Sequence, residues 1–455
     1  MFLDETASIG RNEPRLGNGV AVTDIDGDGA CEFVVAGHGC ANLVLKWDGK
    51  RLVDIADPVI ADSQRNAIGL CAADADGDGR EELYVLNSES AAGSGRFGDR
   101  LFACFGKRWL DLFAQPENFA VINQTVGRSV ACVDRAGTGK YGFVVANKGG
   151  RFRLYEFDRR GHVMDMAEEV GIDLEGAGRA LVSLPLVSER MDIFAANDHG
   201  PNFLFRNLGD GTFEEIAAEW GVADPLGQGR GVAVLDADGD GLFDLVCGNW
   251  QGRHRLFMQR AGGGFVESAP EDMAEPSRVR TVIAADFDND GYEEILFNNL
   301  GQPNRLFAWT NDRWTEAEIG DAEEPHGHGT GAAVADIDGD GRLELLISHG
   351  GTGPQPLGFY RPYPNDNGWL RVMPLTAAGA PARGAVVTCT ARGRTQRRVI
   401  CAGSGYLCQM EPVAHFGLGA VHSVERVEVR WPDGATRTVE HPHANRMVRV
   451  EHPGH

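Results

Sequence analysis

The sequence predicts an all-β chain built from repeats, followed by a small separate domain, and three observations carry that reading. An acidic nonamer returns about every fifty residues, several short apolar runs follow each copy, and the period stops near Pro364. A period of this length marks an array of supersecondary units that bury their apolar faces against one another.

The nonamer places acids at its first, third, fifth and ninth positions. The copies carry Asp24, Asp26, Asp28 and Glu32; Asp74, Asp76, Asp78 and Glu82; Asp236, Asp238, Asp240 and Asp244; Asp286, Asp288, Asp290 and Glu294; and Asp336, Asp338, Asp340 and Glu344. Calcium takes six to eight hard oxygen ligands, and glycine lets so short a loop wrap an ion. The last acid falls at the ninth position and strands flank the loop, so this is not an EF-hand. Five copies in one register predict calcium as the cofactor, each ion stapling the first hairpin of its repeat. Two further copies have lost most of their acids, with Thr138 and Pro185 where acids stood. They are expected to be metal-free.

Imposing the period gives repeat starts at 24, 74, 134, 185, 236, 286 and 336. Each unit reads as four short strands separated by turn signals, the grammar of a propeller blade. The expected fold is a seven-bladed β-propeller with calcium-binding loops over residues 1–363, then a small β-sandwich over 364–455. The seventh unit supplies only three strands. Its fourth is expected from the N-terminus, where 2–7 resembles the outer strand at 213–217, so that the chain's start latches the ring and hides an open edge.

Bulk properties narrow the partners. Net charge is −23, yet residues from Pro364 onward hold 11 Arg against 7 acids, which leaves −27 on the first 363. No basic stripe exists to displace counterions, so a nucleic-acid partner is excluded. No apolar run is long enough for a membrane span. The nine cysteines form no zinc-like spacing, and the N-terminus lacks a signal-like apolar core, which together point to reduced thiols in the cytoplasm, with secretion as the alternative. Lysine is scarce beside arginine, 5 against 38, which suggests a GC-rich bacterial genome.

A second candidate site lies away from the acidic loops. Arg128, Arg179, Arg230 and Arg280 each fall six residues before the first loop position, where the other repeats have Asn18, Ile68 and Thr330. A strand of about six residues spans roughly 20 Å, which puts these arginines at the far mouth of a central channel. Turns returning to that face carry His199, Trp250 and His254, with His326 and His328 entering the seventh repeat nearby. Arginine, histidine and tryptophan around a channel mouth suit an anionic or polar ligand. The alternative is that the arginines tie neighbouring blades together.

Near the C-terminus, 403–409 (GSGYLCQ), 415–419 (HFGLG) and 427–434 (VEVRWPDG) resemble the signature of the ASPIC/UnbV family. The repeats resemble the FG-GAP or VCBS type, and 202–213 and 303–307 fit the same cartilage-acidic-protein-like architecture. The resemblance covers essentially the whole chain. It implies either a secreted matrix protein, as in animals, or a bacterial protein encoded with enediyne polyketide pathways, the branch that the N-terminus favours. One departure is 380–384 (APARG), where the family pattern has an Asn-Arg turn.

Two functions follow. One is a calcium-stabilised scaffold that binds a protein or carbohydrate partner, placed in bacterial secondary metabolism. The other is a calcium-dependent enzyme or intermediate-binding protein holding a polyketide-type small-molecule metabolite at the arginine mouth. No nucleophile–base or paired-acid motif stands out, so no reaction is assigned.

Overall fold

Each acidic loop joins two strands that are buried along nearly their whole length, because small and β-branched residues occupy both faces. The computed structural model describes residues 1–88, 97–403 and 405–454. Among these, the repeat region forms five sheets of four antiparallel strands and one of eight. The eight-stranded sheet is two such units, joined where Gly142–Arg151 extends to pair with Glu175–Leu184.

The first strands of the units are Gly17–Thr23, Ala67–Ala73, Gly127–Val133, Glu175–Leu184, Gly229–Leu235, Val279–Ala285 and Gly329–Ala335. They neighbour one another in chain order, and the last returns to the first. Across that closure the Thr330 hydroxyl donates to the Gly17 carbonyl at 2.8 Å.

The chain's start completes the last sheet. Phe2–Asp4 pairs with Gly358–Pro362, Phe2 opposite Pro362 and Asp4 opposite Tyr360. The Phe2 ring is fully buried and meets Phe287 edge-on at 4.9 Å. Phe2→Ala is expected to cost about 3–5 kcal/mol by leaving a cavity. Deleting the first ten residues should lower the melting temperature further by exposing an unpaired edge, and an unchanged melt would refute the latch.

Beyond Pro362 the chain builds two more sheets. One orders Ala414–Gly419, Gly368–Pro374 and Met447–Val450; the other orders Arg394–Val399, Val386–Ala391, Arg426–Arg430 and Thr436–Glu440. They share a core that includes Leu370, Val387, Phe416, Val429 and Trp431. Met447–Val450 joins its sheet in parallel. The nine cysteines are unpaired.

The centre differs from a simple water-lined channel. Residues 401–403 and 405–410 leave the C-terminal sheets and run among the first strands. Cys132 N donates to Ala402 O at 3.0 Å, Ala402 N to Ser183 O at 3.2 Å, Gly405 N to Val232 O at 2.8 Å and Gln409 N to Val20 O at 2.9 Å. The segment thus satisfies its buried backbone groups on four different repeat units. Glycine is required where it passes closest: a Cβ on Gly19 would stand 2.0 Å from the Leu407 carbonyl oxygen. Ser404 of the sequence motif lies outside the described residues.

Candidate metal loops and an arginine crescent

The five acidic loops repeat one hydrogen-bond scheme. The first Asp accepts the sixth residue's N–H, from Gly29 (2.8 Å), Gly79 (3.0 Å), Gly241 (3.1 Å), Gly291 (2.9 Å) and Gly341 (3.0 Å). The ninth acid reaches back to the second residue, at Ile25 (2.8 Å), Ala75 (2.8 Å), Ala237 (2.9 Å), Phe287 (2.9 Å) and Ile337 (3.0 Å). The fourth residue sits in the left-handed region, which only glycine, or Asn289 at φ 60°, adopts readily.

Asp236, Asp286 and Asp336, like Glu32 and Glu344, each spend one oxygen on the backbone and leave the other without a donor, whereas Asp24, Asp74 and Asp244 accept backbone N–H groups on both oxygens. Three acids per loop bring oxygens within 4.8 Å of one another: Asp24, Asp26 and Glu32; Asp74, Asp76 and Asp78; Asp236, Asp238 and Asp244; Asp286, Asp288 and Asp290; Asp336, Asp338 and Glu344. Several inward oxygens are buried with no hydrogen-bond donor, namely Glu32 Oε1, Asp236 Oδ1, Asp286 Oδ1, Asp336 Oδ1 and Glu344 Oε1. Orphaned buried carboxylate oxygens are costly unless a cation takes them. Burial, and next the neighbouring Asp76, push Glu82 up to about 9; burial outweighs the pull of Arg398 to hold Asp286 at about 8, and outweighs backbone N–H donors to hold Asp244 at about 7. This donor set, all hard oxygens around one point, fits calcium.

The loops are not equivalent. Across the hairpin from the ninth acid stand Lys46, Ala103, Met258, Ala308 and Arg361 in chain order. The Lys46 ammonium lies 2.6 Å from Asp28 and 3.4 Å from Glu32, and the Arg361 guanidinium 2.7 Å from Asp338 and 3.6 Å from Glu344. In two loops the facing strand thus ion-pairs a cation with the loop acids, and in the other three it does not; the 74–82 loop has Lys140 only on its Asp76 carbonyl, at 2.6 Å. The two degenerate loops close on hydrogen bonds: Asp134 accepts from Thr138 N and Gly139 N, and Asp192 from the N–H groups of 186–188.

The C-terminal sheets rest on this acidic face. Gly417 N donates to Asp286 Oδ2 and Arg371 pairs with Asp336, both at 3.0 Å. Arg394 donates to the Gly291 carbonyl (2.8 Å), Arg449 to that of Gly29 (2.7 Å), and Arg397 to that of Gly241. His415 is buried against Asn289 Oδ1 at 2.6 Å. The arginine surplus of the C-terminal region is thereby explained, since it faces the most acidic surface of the repeats.

At the opposite mouth, a β-bulge falls on each of the four arginine positions, between Gly127 and Ser129, Gly178 and Ala180, Gly229 and Val232, and Val279 and Thr281. A bulge re-aims the extra side chain, and here the guanidinium groups gather round Tyr406 at the tip of the inserted segment. Arg179 donates to the Tyr406 hydroxyl at 3.3 Å and to Asp198 at 2.6 Å, and Arg230 also pairs with Asp198. Arg280 lies over the rings of Trp250 (4.5 Å) and Tyr406 (5.6 Å), and Arg230 over Trp250 at 5.5 Å.

The histidines divide differently from the expectation. His254 is a core residue: Nδ1 accepts from Asn249 N and Nε2 contacts the Ser277 hydroxyl, both at 3.0 Å, and its ring stacks on Phe297. Burial holds it neutral, down to about 3. It is therefore removed from the ligand set. His328 bonds Thr352 and the His326 carbonyl accepts from Gln355, within the turns of the last sheet; none of their hydrogen bonds reaches the arginines. His199 is exposed beside Asp198. Sequence reasoning missed Asp198 and Tyr406, although Tyr406 sits inside the motif it had singled out.

A ring of antiparallel sheets with hard-oxygen loops on one face defines a propeller-like repeat protein. Comparison with known proteins agrees with that class: 24–85, 189–247, 236–297 and 290–347 match the FG-GAP-like repeat, and 376–455 match the ASPIC and UnbV model. Cartilage acidic protein 1 from Xenopus tropicalis is 45% identical over 97% of this chain and 74% of its own length. The Homo sapiens protein of that name is 46% identical over 97% of this chain and 73% of its own. The chain belongs to the ASPIC/UnbV family, alongside cartilage acidic protein 1.

Among solved structures, BBS1N in complex with ARL6DN covers 80% of this chain at 13% identity and a TM-score of 0.48. The cytoplasmic expectation is corrected by the relatives, which are named for cartilage, an extracellular tissue, and which point to secretion. The bacterial and natural-product reading finds no support among these animal relatives.

Proposed function

We propose that the chain is a secreted binding protein, a seven-bladed propeller whose acidic loops hold calcium and thereby carry the C-terminal domain in a fixed position for a protein partner. The carrying observation is the set of buried, donorless carboxylate oxygens turned toward one point in the loops. Bound calcium supplies divalent charge there and completes those oxygens' coordination. The loop backbone pre-orients each acid, so little ordering accompanies binding. Asp286 and Asp336 link the loops to Gly417 and Arg371, so the same carboxylates serve ion and domain.

Native mass spectrometry during a calcium titration tests this reading. Three ions are expected first, at the loops opposite Ala103, Met258 and Ala308, then two more weakly where Lys46 and Arg361 compete. Lys46→Ala and Arg361→Ala should each strengthen one of the weak sites. A protein that takes up no calcium at millimolar concentration would refute the proposal.

A further inference from the structure

Four guanidinium groups meet at the mouth opposite the C-terminal sheets, and one carboxylate, Asp198, answers them. Among the described residues, neither Arg128 nor Arg280 has a hydrogen-bonded or ion-paired acid, and the Nε atoms of Arg128, Arg230 and Arg280 are buried without an acceptor. Arg230 is only 7% exposed. Arg128 and Arg280, at the two ends of the crescent, are half-buried and open toward solvent. The three positions that complete the ring, Asn18, Ile68 and Thr330, carry no charge.

A packed fold does not hold like charges together without something gained. Bridging neighbouring sheets through backbone carbonyls would have been one gain, yet among the described residues the carbonyl these arginines reach is that of Gly229, on Arg230's own strand. Arg280 instead lies over Trp250 and Tyr406 and Arg230 over Trp250, and while Arg179 and Arg230 are engaged with Asp198, the guanidinium edges of Arg128 and Arg280 carry no hydrogen bond among the described residues. Stacked guanidinium planes with free forks are the geometry that receives a two-oxygen anionic face.

We propose that Arg128, Arg179, Arg230 and Arg280, floored by Tyr406 and walled by Trp250, form a binding site for the oxyanion group of a small soluble ligand, a carboxylate or a sulfate. The surplus charge recruits the anion, the forks of Arg128 and Arg280 clamp it, and the Tyr406 hydroxyl donates to it from below. Trp250 offers an apolar wall to whatever carries the anion. The environment of Tyr406 agrees: burial would raise its phenol, yet the four arginines draw it down to about 8. The sheets supply the arginines and the C-terminal segment supplies the floor, so the site exists only in the assembled chain.

Calorimetric titration of calcium-loaded protein with sulfate and, separately, benzoate tests this, at ionic strength held constant with sodium chloride. Saturable binding of at least one is expected, weakened at least tenfold in Arg128→Gln and in Arg280→Gln, and weakened by a smaller factor in Tyr406→Phe, which loses one donor to the anion. Benzoate binding more tightly than sulfate would assign the carboxylate and the Trp250 wall; the reverse would assign the inorganic oxyanion. Calcium stoichiometry checks the fold of every variant, independently of the anion. Absence of saturable binding in the wild type overturns the proposal, as does binding that both glutamine variants leave unchanged. Binding that appears only in Tyr406→Phe also overturns it, because the Tyr406 phenolate would then be the crescent's own counter-ion.

Discussion

Chelating divalent cations is expected to lower the melting temperature far more at pH 8 than at pH 5. Without the ion, the folded loops hold protons that the unfolded chain releases near pH 4. Burial and then neighbouring acids hold Glu82 up to about 9 and Asp286 to about 8, while burial, against the pull of backbone N–H donors and with some push from neighbouring acids, holds Asp244 and Glu32 to about 7 and Asp74 to about 6. A raised folded-state value means stability that is complete below the unfolded value and lost as pH climbs through the folded one. The cation-free protein should therefore weaken steadily between about pH 4 and 9. Calcium reverses the trend, because it binds the deprotonated acids and binds them better as pH rises. Each site filled at a thousandfold over its Kd adds about 4 kcal/mol. The same treatment should free the C-terminal sheets from Asp286 and Asp336, read as new proteolytic cleavage between Pro362 and Gly368. Identical melts with and without calcium at pH 8 would sink this account.

Arg383→Ala should cost about 3–5 kcal/mol, because it leaves a buried carboxylate without its partner. Arg383 is among the largest fully buried side chains of the protein. It reaches from the C-terminal region into the repeats, where Nε meets Glu81 Oε1 at 2.7 Å and Nη2 meets Glu81 Oε2 at 3.2 Å. Its carbonyl accepts from the Tyr141 hydroxyl at 2.8 Å. Chemical denaturation of Arg383→Ala, Glu81→Gln and the Glu81→Gln, Arg383→Met pair separates the terms. The double variant should recover most of the loss, since neither charge then remains buried alone. Equal losses in the single and double variants would show that Arg383 acts through packing rather than charge.

Residue 383 lies in the one segment, 380–384, where the sequence departs from its family's turn pattern, and nothing in the sequence marked it as central. The arginines at 128, 179, 230 and 280 were legible as a set because repetition put them in register. What they face was not, since Asp198 comes from a degenerate repeat and Tyr406 from the C-terminal domain. His254 shows the opposite failure: its position on a returning turn suggested a ligand, while the fold spends both ring nitrogens on Asn249 and Ser277.

The sequence by itself determined the acidic loops, the strand grammar around them and the N-terminal latch. The loops and strands depend on interactions spanning nine residues and on short apolar runs between turn residues, written locally in the chain, and the latch on the likeness of one strand to another. It took the folded chain to show that residues 401–403 and 405–410 fill the centre, that the C-terminal arginines cover the acidic face and that the Tyr406 phenol lies among the four arginines. These features pair groups from different parts of the chain, more than two hundred residues apart for Cys132 with Ala402 and Glu81 with Arg383. Their partners are chosen by the closure of the ring, a geometric condition on the whole chain that no local pattern encodes.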